Sequence, residues 1–536
     1  MDLNYIYAIV VGSVFFSFMI LAGMPHAVRI IRYVSSVMSK HMVHRYTLQR
    51  HRLAGPWSRA GIVLQTTYIA TNLTCIVVRV SSAKPHISTL PRAGLRAGQL
   101  CIVNLIVVFV ASHLSLLADL LGVNLGTVRQ VHRSAAVMAV VLALFHTTVA
   151  IALRASFDLD LPENLFAVIG ASSLGFVALL SIRICRRPSY ECFLWTHRAL
   201  SVLTIFSVWR HLPLDKTYPR YCLYIVVGLY LLLCTVQAGI IIRRTGIFQS
   251  GHARAHVTHA HGAIRIRIQC QKPLEIKAGQ YINLWMPSVS FWSFLQAHPF
   301  VVISWAEQPQ DYLELFIEPR RGLTRELLYH AQHGRAEHSP VLFSGPHGKS
   351  VCIDGYGSVL MIASDFGIAA QLPYLKRLIH GYNARQLEAR RVHLVWQIQD
   401  LDVTIAAQAL LNEALTEDTL DNGWILAISI YCQSNTVHAK SFGKRANLYS
   451  GKAPLQDILQ FELAGRHSVK KPIQSGDWLP QRFVDAGPEI EIERSSEILV
   501  TVSAVNDTRD ELRYLMKDFL GNGVHLSELD YQPPPH

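Results

Sequence analysis

Four histidines in two apolar stretches carry the clearest chemistry in the sequence. One stretch reads HRSAAVMAVVLALFH, with His132 and His146 at its ends, and the other reads HRALSVLTIFSVWRH, with His197 and His211. Ionisable side chains inside apolar spans are costly and mark function. On an α-helix the shared spacing of about 14 residues is about 21 Å of rise and about 40° from alignment. Each pair therefore lies on one helix face, at opposite ends of a span. With one span between them the two helices run parallel, so His132 is level with His197 and His146 with His211. Two facing imidazoles at each of two levels are a ligand set for two six-coordinate b-type haems. Such iron has no open position, which suits electron transfer better than oxygen binding. The bland alternative is histidines snorkelling at helix ends, against which the repeated spacing argues. His113 has no partner at this spacing and reads as a core or interfacial residue. Phe145 and Phe206 lie between the two levels, where they line the path or simply pack.

The helices needed to position these residues are legible in the composition. The chain has 536 residues, 51% hydrophobic and 16% charged, against roughly a quarter charged in soluble domains. The apolar excess lies ahead of Arg254. About 20 apolar residues cross a bilayer, and seven stretches qualify: Tyr5–Val34, Ala60–Val80, Gln99–Leu120, His132–Ala152, Phe166–Ile184, Phe193–His211 and Tyr221–Ile242. The net charge is +13, and Gly23 to Arg59 holds seven Lys and Arg with no acid. Basic residues beside spans mark the cytoplasmic side, so they point to a membrane lipid surface and not to nucleic acid. The expected orientation puts the N-terminus outside and the C-terminal half in the cytosol. The loop with Arg79, Lys84, Arg92 and Arg96 runs against that balance. The nine cysteines form no Cys-x-x-Cys and indicate neither zinc nor a disulfide framework.

With the histidine pairs in place, the sequence resembles the fungal-type ferric reductases, relatives of the NADPH oxidases, from the second span to the C-terminus. The equal histidine spacing is more like the metalloreductase branch. The resemblance implies FAD, two haem b and NADPH as cofactors, and ferric or cupric complexes as acceptors.

The C-terminal half fits that resemblance. Ala263–Cys270 (AIRIRIQC) and Tyr312–Glu318 alternate with period two, as strands of an antiparallel sheet or barrel do. Ala278–Pro287 resembles the strand that precedes the flavin. His298, Pro299, Phe300, Val301, Val302, Ile303 and Ser304 (HPFVVIS) resemble the family's flavin signature, in which an extended strand offers N–H and C=O groups to the isoalloxazine edge. Val301 stands where the family has Thr or Ser. Arg321–Leu328 resembles the helix start after the barrel, where Gly322 allows close approach, Thr324 caps, and the helix N-terminus suits a pyrophosphate.

From Gly355 onward strands and helices alternate, as in a doubly wound α/β domain with its crevice at the strand carboxyl ends. Strands are expected at Ser358–Ile362, Arg391–Ile398, Trp424–Cys432 and Ile498–Ser503, and helices at Ala369–His380, Asp402–Leu415 and Asp507–Leu520. The turn at Gly367, Ile368, Ala369 and Ala370 resembles the family's nucleotide-binding turn, with Leu372-Pro373 after it. Ser364 and Asp365 replace two glycines, and the Asp365 carboxylate is expected to oppose a pyrophosphate. The family's Cys-Gly-Pro turn is replaced by SAVND, Ser503–Asp507. Lys444 and Arg445 are candidates for a 2′-phosphate, and Tyr531 for shielding the flavin or for packing.

The expected architecture is an N-terminal all-α transmembrane helical bundle, an antiparallel β-barrel FAD domain and a doubly wound α/β nucleotide-binding domain, ferredoxin-reductase-like overall. Boundaries fall at 1–95 (first spans and basic loop), 96–245 (haem bundle), 246–350 (FAD barrel) and 351–536 (NADPH lobe). The expected function is a plasma-membrane metalloreductase, an NADPH-dependent ferric-chelate reductase. The alternatives are a superoxide-producing oxidase-like enzyme and a degenerate, non-catalytic membrane subunit.

Overall fold

The computed structural model describes residues 38–43, 45–48, 50, 56–80, 85–87, 89–153, 157–186, 188–215, 217–247, 253–289, 297–334, 339–420, 425–434, 440–442, 445–463, 497–517, 519–520 and 523–532. The first expected span, Tyr5–Val34, lies outside them. Six described helices are long and apolar enough to cross a membrane: α1 (Arg59–Val77), α2 (Leu90–Val110), α4 (Leu125–Leu153), α5 (Pro162–Leu180), α6 (Tyr190–His211) and α7 (Thr217–Thr245). A short helix, α3 (Leu114–Leu121), follows α2 and ends at Gly122 in the left-handed conformation. Local signals set several starts. Pro91 and Pro162 open α2 and α5, where a missing N–H costs nothing. Ser189 caps α6 by accepting from the Cys192 N–H.

Small residues decide the packing. A Cβ on Gly94 would sit 2.6 Å from Val149, and one on Gly98 2.9 Å from His146. The bare backbone of α2 therefore lets α4 approach closely. Ser173 and Thr204 share a 2.8 Å hydrogen bond between α5 and α6. So α4 packs on α2 and α6 on α5, while α4 and α6 make no extensive contact among the described residues.

After α7 come two antiparallel sheets. One has β1 (Arg254–Ala260), β2 (Ala263–Leu274), β5 (Gln310–Ile317) and β6 (Ser339–Pro340), in the order β6-β1-β2-β5. The other has β3 (Tyr281–Trp285), β4 (His298–Val301) and β7 (Leu342–His347), in the order β7-β3-β4. Ile264, Ile266 and Ile268 of β2, fully buried, face Ile282, Leu284 and Phe300 across one core. Helix α8 (Leu323–Gln332) closes this barrel.

The last lobe is a seven-stranded sheet. Its strands are β8 (Tyr356–Ser364), β9 (Arg391–Ile398), β10 (Leu426–Cys432), β11 (Lys440–Phe442), β12 (Ala446–Ser450), β13 (Glu497–Ser503) and β14 (Val524–Glu528), in the order β11-β12-β10-β9-β8-β13-β14. The pairs β8–β9, β8–β13, β9–β10 and β10–β12 are parallel. Helices α9 (Ile368–Asn383), α10 (Asp402–Glu417), α11 (Leu455–Leu463) and α12 (Asn506–Met516) accompany it. The expected strands and helices all occur, with ends shifted by a few residues. β11, β12, α11 and β14 were not anticipated.

The chain divides into two compact units, Ile69–Arg509 with Leu526–His536, and Met1–Tyr68 with Asp510–His525. Within the second of these, Arg50 pairs with Asp510 at 2.9 Å and Arg513 lies over the Tyr46 ring.

Candidate functional site

The structure brings all four predicted histidines together in pairs. His132 and His197 have ring centroids 6.4 Å apart, and so do His146 and His211. Two imidazoles on opposite sides of one metal, with bonds of about 2.0–2.1 Å and about 1.1 Å more to each ring centre, place their centroids roughly 6.3 Å apart. The 6.4 Å spacing at both levels fits imidazoles that would share one metal centre.

Three of the rings are pinned from behind. His132 Nδ1 bonds the Val108 carbonyl at 3.2 Å, His146 Nδ1 the Gly94 carbonyl at 2.9 Å, and His211 Nδ1 the Glu163 carbonyl at 3.0 Å. A donated Nδ1–H fixes the tautomer that leaves Nε2 as a lone-pair ligand. The buried Nδ1 of His197 has no hydrogen-bond partner among the described residues. His113 takes another part, with Nε2 3.2 Å from the Cys234 sulfur just ahead of α3. Phe206 packs edge-on against Phe166 at 5.6 Å.

In the barrel, the flavin-signature strand alternates its side chains. Phe300 and Val302 enter the barrel core, whereas Val301 and Ile303 join the core of the nucleotide lobe. Ser304 accepts from the Glu314 N–H at 3.1 Å. The expectation of free backbone N–H groups is not met. Val301 N–H donates to the Tyr531 carbonyl, Val302 N–H to Gln280 and Ile303 N–H to Glu314. A flavin edge on this strand competes with Tyr531 for the Val301 N–H. Tyr531 packs here, its hydroxyl 3.4 Å from Glu318 and its ring under Arg320. Burial, then the Glu318 charge, push its phenol up to about 12.

At the start of α8, Gly322 has φ +77°, and Thr324 Oγ1 accepts the Arg320 N–H at 2.7 Å. A hollow of about 260 Å³ there is lined by Gly322, Arg325, Glu326, Tyr329 and His330. A helix N-terminus beside an arginine suits a phosphate group. Two carboxylates oppose an anion: Glu326 lines the hollow, and a Cβ on Gly322 would meet Glu191 Oε1 at 2.7 Å.

In the nucleotide lobe, Gly367 is required for a reason the motif does not state. A Cβ there would lie 1.8 Å from the Ser503 carbonyl oxygen, so the glycine lets the end of β13 touch the start of α9. Ile368, Ala369 and Ala370 bury their side chains in the core, which leaves only backbone for a ligand. The Asp365 carboxylate is engaged by the neighbouring backbone. It accepts the Gln399 N–H at 2.9 Å, and the Asp365 carbonyl accepts Trp396 Nε1 at 2.9 Å. Burial raises its pKa above the ordinary carboxylate value, and the Gln399 bond counters this. The carboxylate thus ties the turn to the loop after β9. The hydroxyls of Ser364 and Ser503 are buried without hydrogen-bond partners among the described residues, at the carboxyl edge of the sheet, where such folds bind ligands. Arg445 pairs with buried Asp418 and donates to the Leu415 carbonyl, so it is not a free cation awaiting a 2′-phosphate. Lys444 lies outside the described residues.

Two residues went unnoticed in the sequence. Asp119, in α3, accepts from His347 Nδ1 at 2.6 Å and from the Gly348 N–H at 2.9 Å. Glu191, in the first turn of α6, lies 3.5 Å from His298 Nε2, within ion-pair reach but without a hydrogen bond. The available signal was two acids at an otherwise arginine-rich end of the bundle.

An apolar helical bundle joined to a barrel and a doubly wound lobe defines a membrane protein with a ferredoxin-reductase-like pair of soluble lobes. Three family models match in tandem: the ferric reductase like transmembrane component over residues 97–208, the FAD-binding domain over 251–351 and the ferric reductase NAD binding domain over 356–471. Together the three models mark the chain as similar to the fungal-type ferric reductases. It is similar to the ferric/cupric reductase transmembrane component 2 of Saccharomyces cerevisiae, 24% identical over 247 residues, 44% of this chain and 32% of that one. The protein of the same description in Schizosaccharomyces pombe is 23% identical over 347 residues, 54% of this chain and 58% of that one. The chain thus spans from a third to just over half the length of these relatives. A solved ferredoxin reductase in carbazole 1,9a-dioxygenase aligns with 52% of this chain and 70% of its own at 12% identity and a TM-score of 0.33.

Proposed function

We propose that the protein is a transmembrane metalloreductase that draws electrons from cytosolic NADPH and delivers them to ferric or cupric complexes on the opposite face. The observation that carries this reading is the pair of 6.4 Å histidine spacings, one at each end of the same two helices. His132 and His197 would hold the haem nearer the flavin lobe, and His146 and His211 the haem at the far end. When bound, FAD supplies the change from a two-electron hydride donor to single electrons, and the haem irons supply one-electron couples across the lipid. The chain's own part is positional. Val108, Gly94 and Glu163 hold three imidazole rings in one tautomer, and α2 and α5 brace the helices that carry them. The helix start at Gly322 would take the FAD pyrophosphate, and the turn at Gly367 to Ala370 would offer backbone to the nicotinamide nucleotide.

The flavin-side helix ends carry Arg129, Arg133, Arg183, Arg186, Arg243 and Arg244, which favours a cytosolic location for that side. Nicotinamide nucleotides are also supplied there. The preference for NADPH and for a metal acceptor rests on the likeness to the reductases named above. The plasma membrane is proposed on the same ground.

The test is anaerobic mixing of purified, FAD-loaded protein with NADPH or NADH, following flavin and haem bands. The reading expects flavin bleaching, then haem reduction, faster with NADPH, and haem reoxidation on adding a ferric chelate. Flavin bleaching that never reaches the haems contradicts it.

A further inference from the structure

The bundle between Pro56 and Phe248 holds six carboxylates: Asp119, Asp158, Asp160, Glu163, Glu191 and Asp215. Asp158, Asp160, Glu163 and Asp215 lie at or beside the loops that join α4 to α5 and α6 to α7, at the His146 and His211 end. Only Asp119 and Glu191 lie at the other end, and both reach the flavin lobe. Asp119 makes the stronger contact, with one carboxylate oxygen on the His347 ring and the other on the Gly348 N–H. His347 is buried, and its Nε2 bonds Ser344 Oγ at 2.9 Å. With Nδ1 donating to Asp119, Nε2 accepts from the serine, so the ring is held on both sides. His347 ends β7, which pairs with β3, and β3 pairs with β4 through Asn283 and Pro299. The carboxylate is thus two strands from the flavin signature, and α3 is one turn from the helix that carries His132.

We infer that Asp119 is a positioning residue that latches the flavin lobe to the haem-bearing bundle and sets the gap electrons cross between them. The inference rests on the electron route proposed above. Transfer rates fall steeply with separation, so the latch matters for the step from lobe to bundle. Hydride delivery happens where the nucleotide lobe meets the flavin lobe, and among the described residues the side-chain bonds of Asp119 are to the flavin lobe alone.

Asp119→Ala and Asp119→Glu in the full chain test this with two readouts. The first is deuterium uptake in peptides containing Gly348 and the α3 segment. The second is anaerobic stopped-flow reduction by NADPH, reading flavin and haem separately. Asp119→Ala is expected to raise uptake at Gly348 and slow haem reduction about tenfold, as misplacement of reacting groups does. FAD content, haem spectrum and flavin bleaching stay as in the parent, and Asp119→Glu recovers much of the lost rate. Unchanged uptake at Gly348 overturns the latch. Raised uptake with unslowed haem reduction, or flavin bleaching slowed in step with it, overturns the positioning role. If the parent's haems are never reduced by NADPH, the electron route fails, and uptake alone decides whether Asp119 holds the lobe.

Discussion

The membrane bundle and the nucleotide lobe treat their candidate residues in opposite ways. In the bundle, the four histidines meet in pairs across two helices, and three are braced from behind by backbone carbonyls. In the nucleotide lobe, the motif residues are absorbed by packing. Gly367 makes room for Ser503, Ile368 to Ala370 are core, and Asp365 closes a turn. Side chains reserved for a ligand can thus be told from side chains spent on the fold by what lies beyond them. The contrast implies that changes in the bundle remove a cofactor and spare the fold, whereas changes in the lobe reach function through stability.

The largest expected effect is in the bundle. His146→Ala should lower the haem count from two to one per chain and abolish reduction of an acceptor at the far face. Pyridine haemochrome analysis beside protein quantitation checks it, and an unchanged count breaks the comparison. Next comes Glu462, which sits in the lobe core with His393 at 2.6 Å and Arg391 at 3.0 Å. Burial alone would raise its carboxyl, but the His393 bond and charge, followed by the Arg391 pair, bring it down from 4.5 to about 2. Glu462→Gln should cost about 3–5 kcal/mol, as breaking a buried pair does. A depressed carboxyl stabilises the fold above its unfolded value and loses that contribution as pH falls. The parent should therefore lose stability as pH drops from 4.5 toward about 2, and the variant should lack this component. Denaturant unfolding across that range reads both.

A smaller effect is expected at Gly367. Gly367→Ala drives a Cβ against a backbone oxygen that cannot swing aside, a misfit of about 3 kcal/mol, visible as a lower melting temperature with haem content unchanged. The smallest is Asp365→Asn. The amide oxygen can still accept from Gln399, and the parent carboxylate is disfavoured by burial, so its ionised form gives up stability as pH rises through its raised value. The substitution should shift stability by about 1 kcal/mol or less and leave nucleotide affinity unchanged. A marked gain in affinity would restore the repulsion that the sequence suggested.

What was legible followed from rigid periodicity. A spacing of 14 on two parallel helices fixes level and face before any tertiary contact is known, so both histidine pairs could be read directly. The alternation of Ile264, Ile266 and Ile268 exposed the barrel core in the same way. What was not legible depends on partners distant in sequence. The direction of the Asp365 carboxylate is set by Gln399, the need for Gly367 by Ser503, and the grip of Asp119 by His347, 228 residues away. The strand at His298–Val301 is legible, but the N–H groups of Val301, Val302 and Ile303 are committed to Tyr531, Gln280 and Glu314, which no local pattern reveals.

The most direct measurement is the ligation of haem iron in the purified chain, by low-temperature electron paramagnetic resonance with haem counted per polypeptide. Two low-spin ferric haems per chain, each with two imidazole ligands, is the result predicted. High-spin iron, or fewer than two haems on a protein that retains its fold, would contradict the pairing of His132 with His197 and of His146 with His211.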